Sequence, residues 1–235
     1  MDRQKLLATG FAVVPDVIPG ERCAELIASI SSERTTRVTP RALLEQPWCA
    51  ELADDLADDD RLKPLLPASA VCAQCTLFDK NPDRNWLVTL HQDLSIPVRQ
   101  RIDSDACSGW STKDGMLFVQ PPVEVLESLV AIRVHLDAST SENGPLRIVP
   151  GSHRHGRLDD AGEARARAAA AEAEVLVGRG GVIAMSPLVL HASSKSRGPA
   201  PRRVLHFVFG PRKLPFGLEW FSPRSIQRMT SVKRS

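Results

Sequence analysis

No run in this 235-residue sequence approaches the roughly 20 consecutive apolar residues that a membrane-spanning helix requires, so no membrane insertion is expected. Charge of one sign is also missing: 30 basic residues against 28 acidic ones leave +2, with a pI near 8.3. Such near-balance lacks the basic footprint of a nucleic-acid binder. The opening MDRQKLLATGFAVVPDVIPG has neither the apolar core nor the small-residue cleavage site of a secretory leader. Five cysteines, Cys23, Cys49, Cys72, Cys75 and Cys107, form an odd set with no paired disulfide framework. A cytoplasmic protein with free thiols is expected, and small-molecule chemistry is the class that these absences leave open.

Several motifs lack the parts that would give them chemistry. Cys72-Ala-Gln-Cys75 fits the CxxC pattern, but no second CxxC or closely spaced histidine pair accompanies it, so a buried strand is the better reading. The acidic cluster from Asp54 to Asp60 has neither the alternating ligands nor the central glycine of a calcium loop; a solvated helix face is expected. Gly178-Arg179-Gly180-Gly181 lacks the Lys-Ser/Thr of a phosphate-binding loop and precedes a β-like run, which makes it a turn. No internal repeat is visible, and the basic tail RSIQRMTSVKRS reads as a solvated end.

With 43% hydrophobic residues the chain can bury a sizeable core, and a single domain over residues 1–235 is expected. Residues 1–69 read as an N-terminal strand, GFAVVPDVI, followed by buttressing helices. In PGERCAELIASISSE, Cys23, Leu26, Ile27 and Ile30 recur at helical spacing, and TPRALLEQPWCAELADDLADDDRLKPLL continues in helical style with Pro47 and Pro64 as breakers. From residue 70 to about 210 the texture becomes β-like, with candidate strands VCAQCTLFD, WLVTLHQD, LVAIRVHLD, PLRIVPG, AEVLVG, GVIAM, PLVLHAS and RVLHFVFG. PPVEVLESL and AGEARARAAAAEAE interrupt it as helices, Glu142-Asn143-Gly144-Pro145 as a turn. Residues 103–122 read as a loop long enough to act as a lid, and residues 211–235 as a C-terminal tail.

Within TLHQDLSIPV, a strand would project His91 and Asp93 to one face and Gln92 to the other. An imidazole and a carboxylate so placed supply two ligands of a 2-His-1-carboxylate facial triad. The third ligand is to come from His135, His153, His155, His191 or His206. His191 is preferred because it ends an apolar strand where a side chain enters a cavity mouth. His135-Leu136-Asp137 repeats the His-x-Asp pattern at the same spacing, and pattern alone does not choose between the two pairs.

HQD at 91–93, HLDASTSENGPLRIVPGSH at 135–153 and HASSKSRGPAPRRVL at 191–205, in that order, resemble the phytanoyl-CoA dioxygenase family of Fe(II)/2-oxoglutarate-dependent oxygenases. GFAVVPDVI extends the resemblance more faintly to the start. The resemblance implies that His91, Asp93 and His191 bind the metal, and that the HLD pair belongs to the scaffold. It further implies that Arg202, eleven residues past His191, grips the far carboxylate of 2-oxoglutarate, assisted by Ser193. A guanidinium suits that task because it meets a carboxylate through two parallel hydrogen bonds. Arg203 should project to the opposite side of its strand. Trp110, one residue off the family's usual spacing for a tryptophan near the cosubstrate, and Thr76, on the strand preceding HQD, are further candidates for the cosubstrate pocket.

The implied fold is mainly β with flanking α-helices, a double-stranded β-helix or jelly-roll barrel. The implied reaction uses Fe(II), dioxygen and 2-oxoglutarate, with ascorbate as a supporting reductant in vitro, to hydroxylate an unactivated C–H bond, with succinate and CO2 as co-products. Asp93 favours hydroxylation, since halogenating relatives have a small residue there. A small-molecule substrate is expected, smaller than an acyl-CoA because no CoA-binding signature is visible; oligomeric state leaves no trace in the sequence. The alternative is a non-catalytic jelly roll that binds a metal or small molecule through the same residues.

Overall fold

The computed structural model describes residues 2–35 and 43–225. Helix α1 (Asp2–Thr9) leads into strand β1 (Phe11–Val14), followed by α2 (Gly20–Thr35), a 3-10 turn (Leu43–Glu45), α3 (Pro47–Asp58) and a second 3-10 turn (Lys63–Leu65). Then come β2 (Ala70–Lys80), β3 (Val88–His91), β4 (Ile96–Val98), β5 (Ser108–Lys113), β6 (Met116–Gln120), α4 (Val123–Glu127) and β7 (Val130–His135). The chain continues with β8 (Leu146–Ile148), a 3-10 turn (Ser152–His155), α5 (Asp160–Ala169), β9 (Ala173–Val175), β10 (Val182–Met185), β11 (His191–Ser193), β12 (Arg202–Pro211) and β13 (Arg224–Ser225). The fold is thus mainly β with flanking helices, and every described strand pairing is antiparallel.

A six-stranded sheet runs β1-β10-β7-β12-β2-β13, a four-stranded sheet β3-β11-β8-β9, and a three-stranded sheet β4-β6-β5. The first two form the jelly-roll walls. One face of the large sheet carries Leu205, Phe207, Ile132, Val134, Val182 and Ala184 into a core shared with the helices. Cys23, Leu26 and Ile30 of α2 are buried there, as their spacing predicts, and each such side chain contributes about 1.5–3 kcal/mol. The opposite face looks into the barrel, where Ile183, Met185 and Ala131 meet Leu146, Ile148 and Val175 of the small sheet.

Cross-strand register lays the inward residues of the large sheet in rungs. Thr76, His206 and Arg133 form one rung, Phe78, Val204 and His135 the next, and Lys80 with Arg202 the last. This ladder positions the site.

Two expectations are corrected. Residues 103–122 are not a lid-like loop: β5 and β6 form a hairpin whose turn residues Asp114 and Gly115 both have positive φ. The polar run SGWSTK hides a strand because β5 has exposed residues at both ends and needs little apolar alternation. Pro47 starts α3 instead of breaking a helix, since a first helical position has no N–H to lose. Helix α1 has no counterpart in the sequence reading. Of the expected tail, residues 226–235 lie outside the described residues, as do residues 39–42 of the expected helical stretch.

Candidate metal centre

His91 is the last residue of β3 and lies across from His191, the first residue of β11. Their ring centroids are 4.2 Å apart. Asp93 stands just beyond the strand end, its backbone N–H donating to the Pro187 carbonyl at 2.9 Å. Its two oxygens divide between the imidazoles: Oδ1 is 3.6 Å from His91 Nε2 and Oδ2 is 3.7 Å from His191 Nε2. One ligand atom from each of the three residues lies within 4.8 Å of the others.

Gln92 turns the other way, as strand alternation predicts, and becomes a clamp. Its buried amide donates to the carbonyls of Gly156 (2.8 Å) and Leu188 (2.6 Å) and accepts from the Leu158 N–H (2.8 Å). The segment leading to His191 is thereby tied to the HQD turn.

Each of these two imidazoles is oriented by its own backbone. His91 Nδ1 lies 2.8 Å from the Thr89 carbonyl and His191 Nδ1 3.0 Å from that of Val189. A carbonyl only accepts, so Nδ1 carries the proton in both rings and the Nε2 lone pairs face Asp93. The side chains of His91 and Asp93 are 38% and 36% exposed, whereas His191 is buried. Solvent therefore reaches the triad from the side of β3.

A third imidazole, one of the candidates passed over in favour of His191, completes the surroundings of Asp93. His206 Nε2 is 3.8 Å from Asp93 Oδ2, and Arg133 Nη1 lies 3.0 Å from His206 Nδ1. A guanidinium has no acceptor, so Nδ1 must hold the lone pair and Nε2 the proton. His206 therefore turns its N–H toward Asp93. Burial, reinforced by Arg133, lowers its pKa to about 3, and burial lowers that of His191 to about 4; both rings are neutral near pH 7. Loss of hydration would raise the Asp93 carboxyl, yet His191, His91 and His206 outweigh it and hold it well below the usual carboxylate range.

Two residues past His191, Ser193 is the hub of a cationic pocket. Its hydroxyl donates to the Gly144 carbonyl (2.9 Å) and accepts from Lys80 Nζ (2.9 Å) and Arg202 Nη2 (3.1 Å). Arg202 Nε donates to the Asn143 carbonyl (3.2 Å), while its Nη1 is buried with no partner among the described residues. Lys80 also donates to the Ser194 carbonyl (2.6 Å) and lies over the Trp86 ring. Burial, with Arg202 and Arg133 nearby, lowers the Lys80 pKa to about 8. Gly144 shapes this wall: its φ is +68° and a Cβ would sit 2.3 Å from the Ser194 carbonyl oxygen, so the Asn-Gly turn serves a close approach as well as a reversal. Sequence reasoning missed Lys80 and Arg133; Arg133 offered one signal, a lone cation within the apolar run 130–134 of β7, whereas Lys80, at the end of a strand that also carries Gln74, Thr76 and Asp79, offered none.

The remaining candidates separate. Thr76 is buried on the rung of His206 and accepts from Gln74 Nε2 at 2.7 Å. Trp110 is on β5, under the Arg101 guanidinium and packed into a second core cluster; its described contacts are not to Arg202 or the triad. Asp137 is held by Arg203, through Nε (2.7 Å), Nη2 (2.8 Å) and the backbone N–H (2.9 Å). Arg203 thus points away from Arg202. His153 and His155 lie on the Ser152–His155 turn, with His153 against the Leu7 carbonyl. Cys72 and Cys75 are buried on β2 and all five cysteines are free.

The same fold occurs in solved structures. EctD from S. alaskensis in its apo form is 22% identical with a TM-score of 0.67, over 95% of this chain and 83% of that one. HygX from Streptomyces hygroscopicus, with nickel and 2-oxoglutarate bound, is 21% identical with a TM-score of 0.59, over 90% and 87%. The α-ketoglutarate-dependent epimerase SnoN from nogalamycin biosynthesis is 14% identical with a TM-score of 0.66, over 89% and 79%. No curated protein sequence matches the chain significantly. The family model of phytanoyl-CoA dioxygenase matches residues 7–204, and with the HQD and distal histidine brought together inside that span, this protein belongs to the phytanoyl-CoA dioxygenase family.

Proposed function

We propose that the protein is an Fe(II)- and 2-oxoglutarate-dependent dioxygenase that hydroxylates an unactivated C–H bond of a small-molecule metabolite, with succinate and CO2 as co-products. The observation that carries this reading is the juxtaposition of two imidazoles and a carboxylate with a buried cationic pocket two residues further along β11. Two strand residues span about 7 Å, the scale of a five-carbon dicarboxylate. His91, Asp93 and His191 would hold the metal through one face and leave the remaining positions for small ligands. Bound there, Fe(II) supplies the oxidative chemistry with dioxygen and 2-oxoglutarate.

The chain's own residues bind and orient. Arg202 offers its unpartnered Nη1, with Lys80 and Ser193, to the distal carboxylate; three cations, Lys80, Arg133 and Arg202, share the barrel interior with Asp93. Burial in low dielectric strengthens such pairing. Thr76 lines the wall at the level of the metal. His206 keeps its Nε2 proton directed at Asp93, and Gln92 holds the two ligand-bearing segments together.

The test is succinate formation with Fe(II), ascorbate and 2-oxoglutarate. The wild-type protein should form succinate, and His91→Ala and Arg202→Ala should not; equal background in all three would overturn the reading. Failure of the wild type to develop a visible charge-transfer band on anaerobic addition of Fe(II) and 2-oxoglutarate would instead favour the non-catalytic binding protein. Product analysis distinguishes hydroxylation from epimerisation or ring closure.

A further inference from the structure

His135 is the residue that neither the metal triad nor the ion pairs use. It stands at the end of β7 on the inward face, opposite Val204, so it occupies the rung between that of His206 and that of Arg202. It is fully buried, and among the described residues neither ring nitrogen has a hydrogen-bond partner. Arg202 Nη1 and Arg133 Nε, on the flanking rungs, are buried and unpartnered as well. An orphaned buried polar atom is costly, and four such atoms on adjacent inward residues mark a compartment built for a polar guest. The ring is neutral, because burial and the adjacent Arg133 and Arg202 lower its pKa to about 3, so it presents one N–H and one lone pair to that guest.

We infer that His135 is a cosubstrate-positioning residue, whose N–H donates to the distal carboxylate of a 2-oxo dicarboxylate lying between the metal triad and Arg202. The inference rests on the oxygenase reading and adds a residue to its pocket. It also gives a sense to the second His-x-Asp: His135 serves the compartment while Asp137 holds Arg203 on the other side.

The experiment measures binding of 2-oxoglutarate and of 2-oxobutyrate, which lacks the distal carboxylate, to the anaerobic Fe(II) protein by the visible charge-transfer band. Wild type, Arg202→Ala, His135→Phe and His135→Asn are compared, with Fe(II) affinity measured separately. His135→Phe should weaken 2-oxoglutarate binding about tenfold while leaving 2-oxobutyrate and Fe(II) affinity within about twofold, and His135→Asn, which keeps a donor, should recover part of the loss. A purely structural role would weaken both oxo acids alike. Should His135→Phe fail to fold, His135→Asn decides: unequal weakening of the two oxo acids supports the role, and equal or no weakening overturns it. Loss of 2-oxoglutarate binding in Arg202→Ala but not in either His135 variant overturns this inference alone. Absence of 2-oxoglutarate binding in the wild type overturns the oxygenase reading and the inference together.

Discussion

His91-Gln92-Asp93 and His135-Leu136-Asp137 have the same pattern, and both stand where a strand ends. Their fates differ because of what lies opposite. Beyond β3, the Asp93 N–H is caught by the Pro187 carbonyl and the Gln92 amide by Gly156 and Leu188, so the turn keeps both side chains beside His191. Beyond β7, the Leu136 N–H is caught by the Arg203 carbonyl and Asp137 by the Arg203 guanidinium, so histidine and aspartate part company. A His-x-Asp spacing therefore states what two side chains can do, and the neighbouring strand decides whether they do it together.

The hardest blow to this contrast is removal of each aspartate. Asp93→Ala should lower Fe(II) affinity by more than the roughly 10–100-fold that follows loss of an outer-shell partner, read by metal titration, whereas Asp137→Ala should leave it unchanged. Equal losses would mean that the two motifs are not distinct. Conversely, Asp137→Ala should destabilise the fold by about 1–3 kcal/mol, seen as a lower denaturation midpoint, because it strips a bidentate pair of which both side chains are mostly buried.

Lys80 sharpens the comparison from the cationic end of the HQD compartment. Its pKa falls from 10.5 to about 8, so between those values the unfolded chain binds the proton and the folded chain does not. This group then contributes stability that rises with pH across that window, while 2-oxoglutarate affinity falls as the ammonium loses its charge. Lys80→Met should bind 2-oxoglutarate several-fold more weakly, by about 1 kcal/mol or more, and should lose the fall near pH 8. A pH profile unchanged by the substitution would count against Lys80 as an anion partner. The smallest effect is expected at Trp110: Trp110→Phe should leave 2-oxoglutarate affinity within about twofold, since Phe preserves the apolar packing of that position.

Much of the molecule is legible along the chain. Period-3.6 spacing marks α2, and apolar β-branched runs mark β2, β7, β10 and β12, because those elements bury one face or both. The legible parts of the candidate site are those whose neighbours in sequence are their neighbours in space: His91 with Asp93, and His191 with Ser193. What escapes is polar or isolated. Strand β5 has too few apolar residues to alternate, and α1 buries only Leu6 among its eight residues. Arg133 and His206 each stand alone among apolar residues, where a single polar side chain has no periodic signature, and Lys80 ends β2 beside Asp79 as an ordinary polar strand terminus.

The sequence by itself determined the family, the antiparallel β framework and the residue types of the candidate site, since side-chain chemistry and strand period are local properties. Tertiary structure alone decided which histidines share a compartment, that His206 is a proton-bearing neighbour of Asp93, and that Lys80 joins Arg202 at Ser193. The reason is physical. Register between β2, β12 and β7 sets those rungs, and register is a relation between strands distant in the chain that no stretch of residues carries on its own.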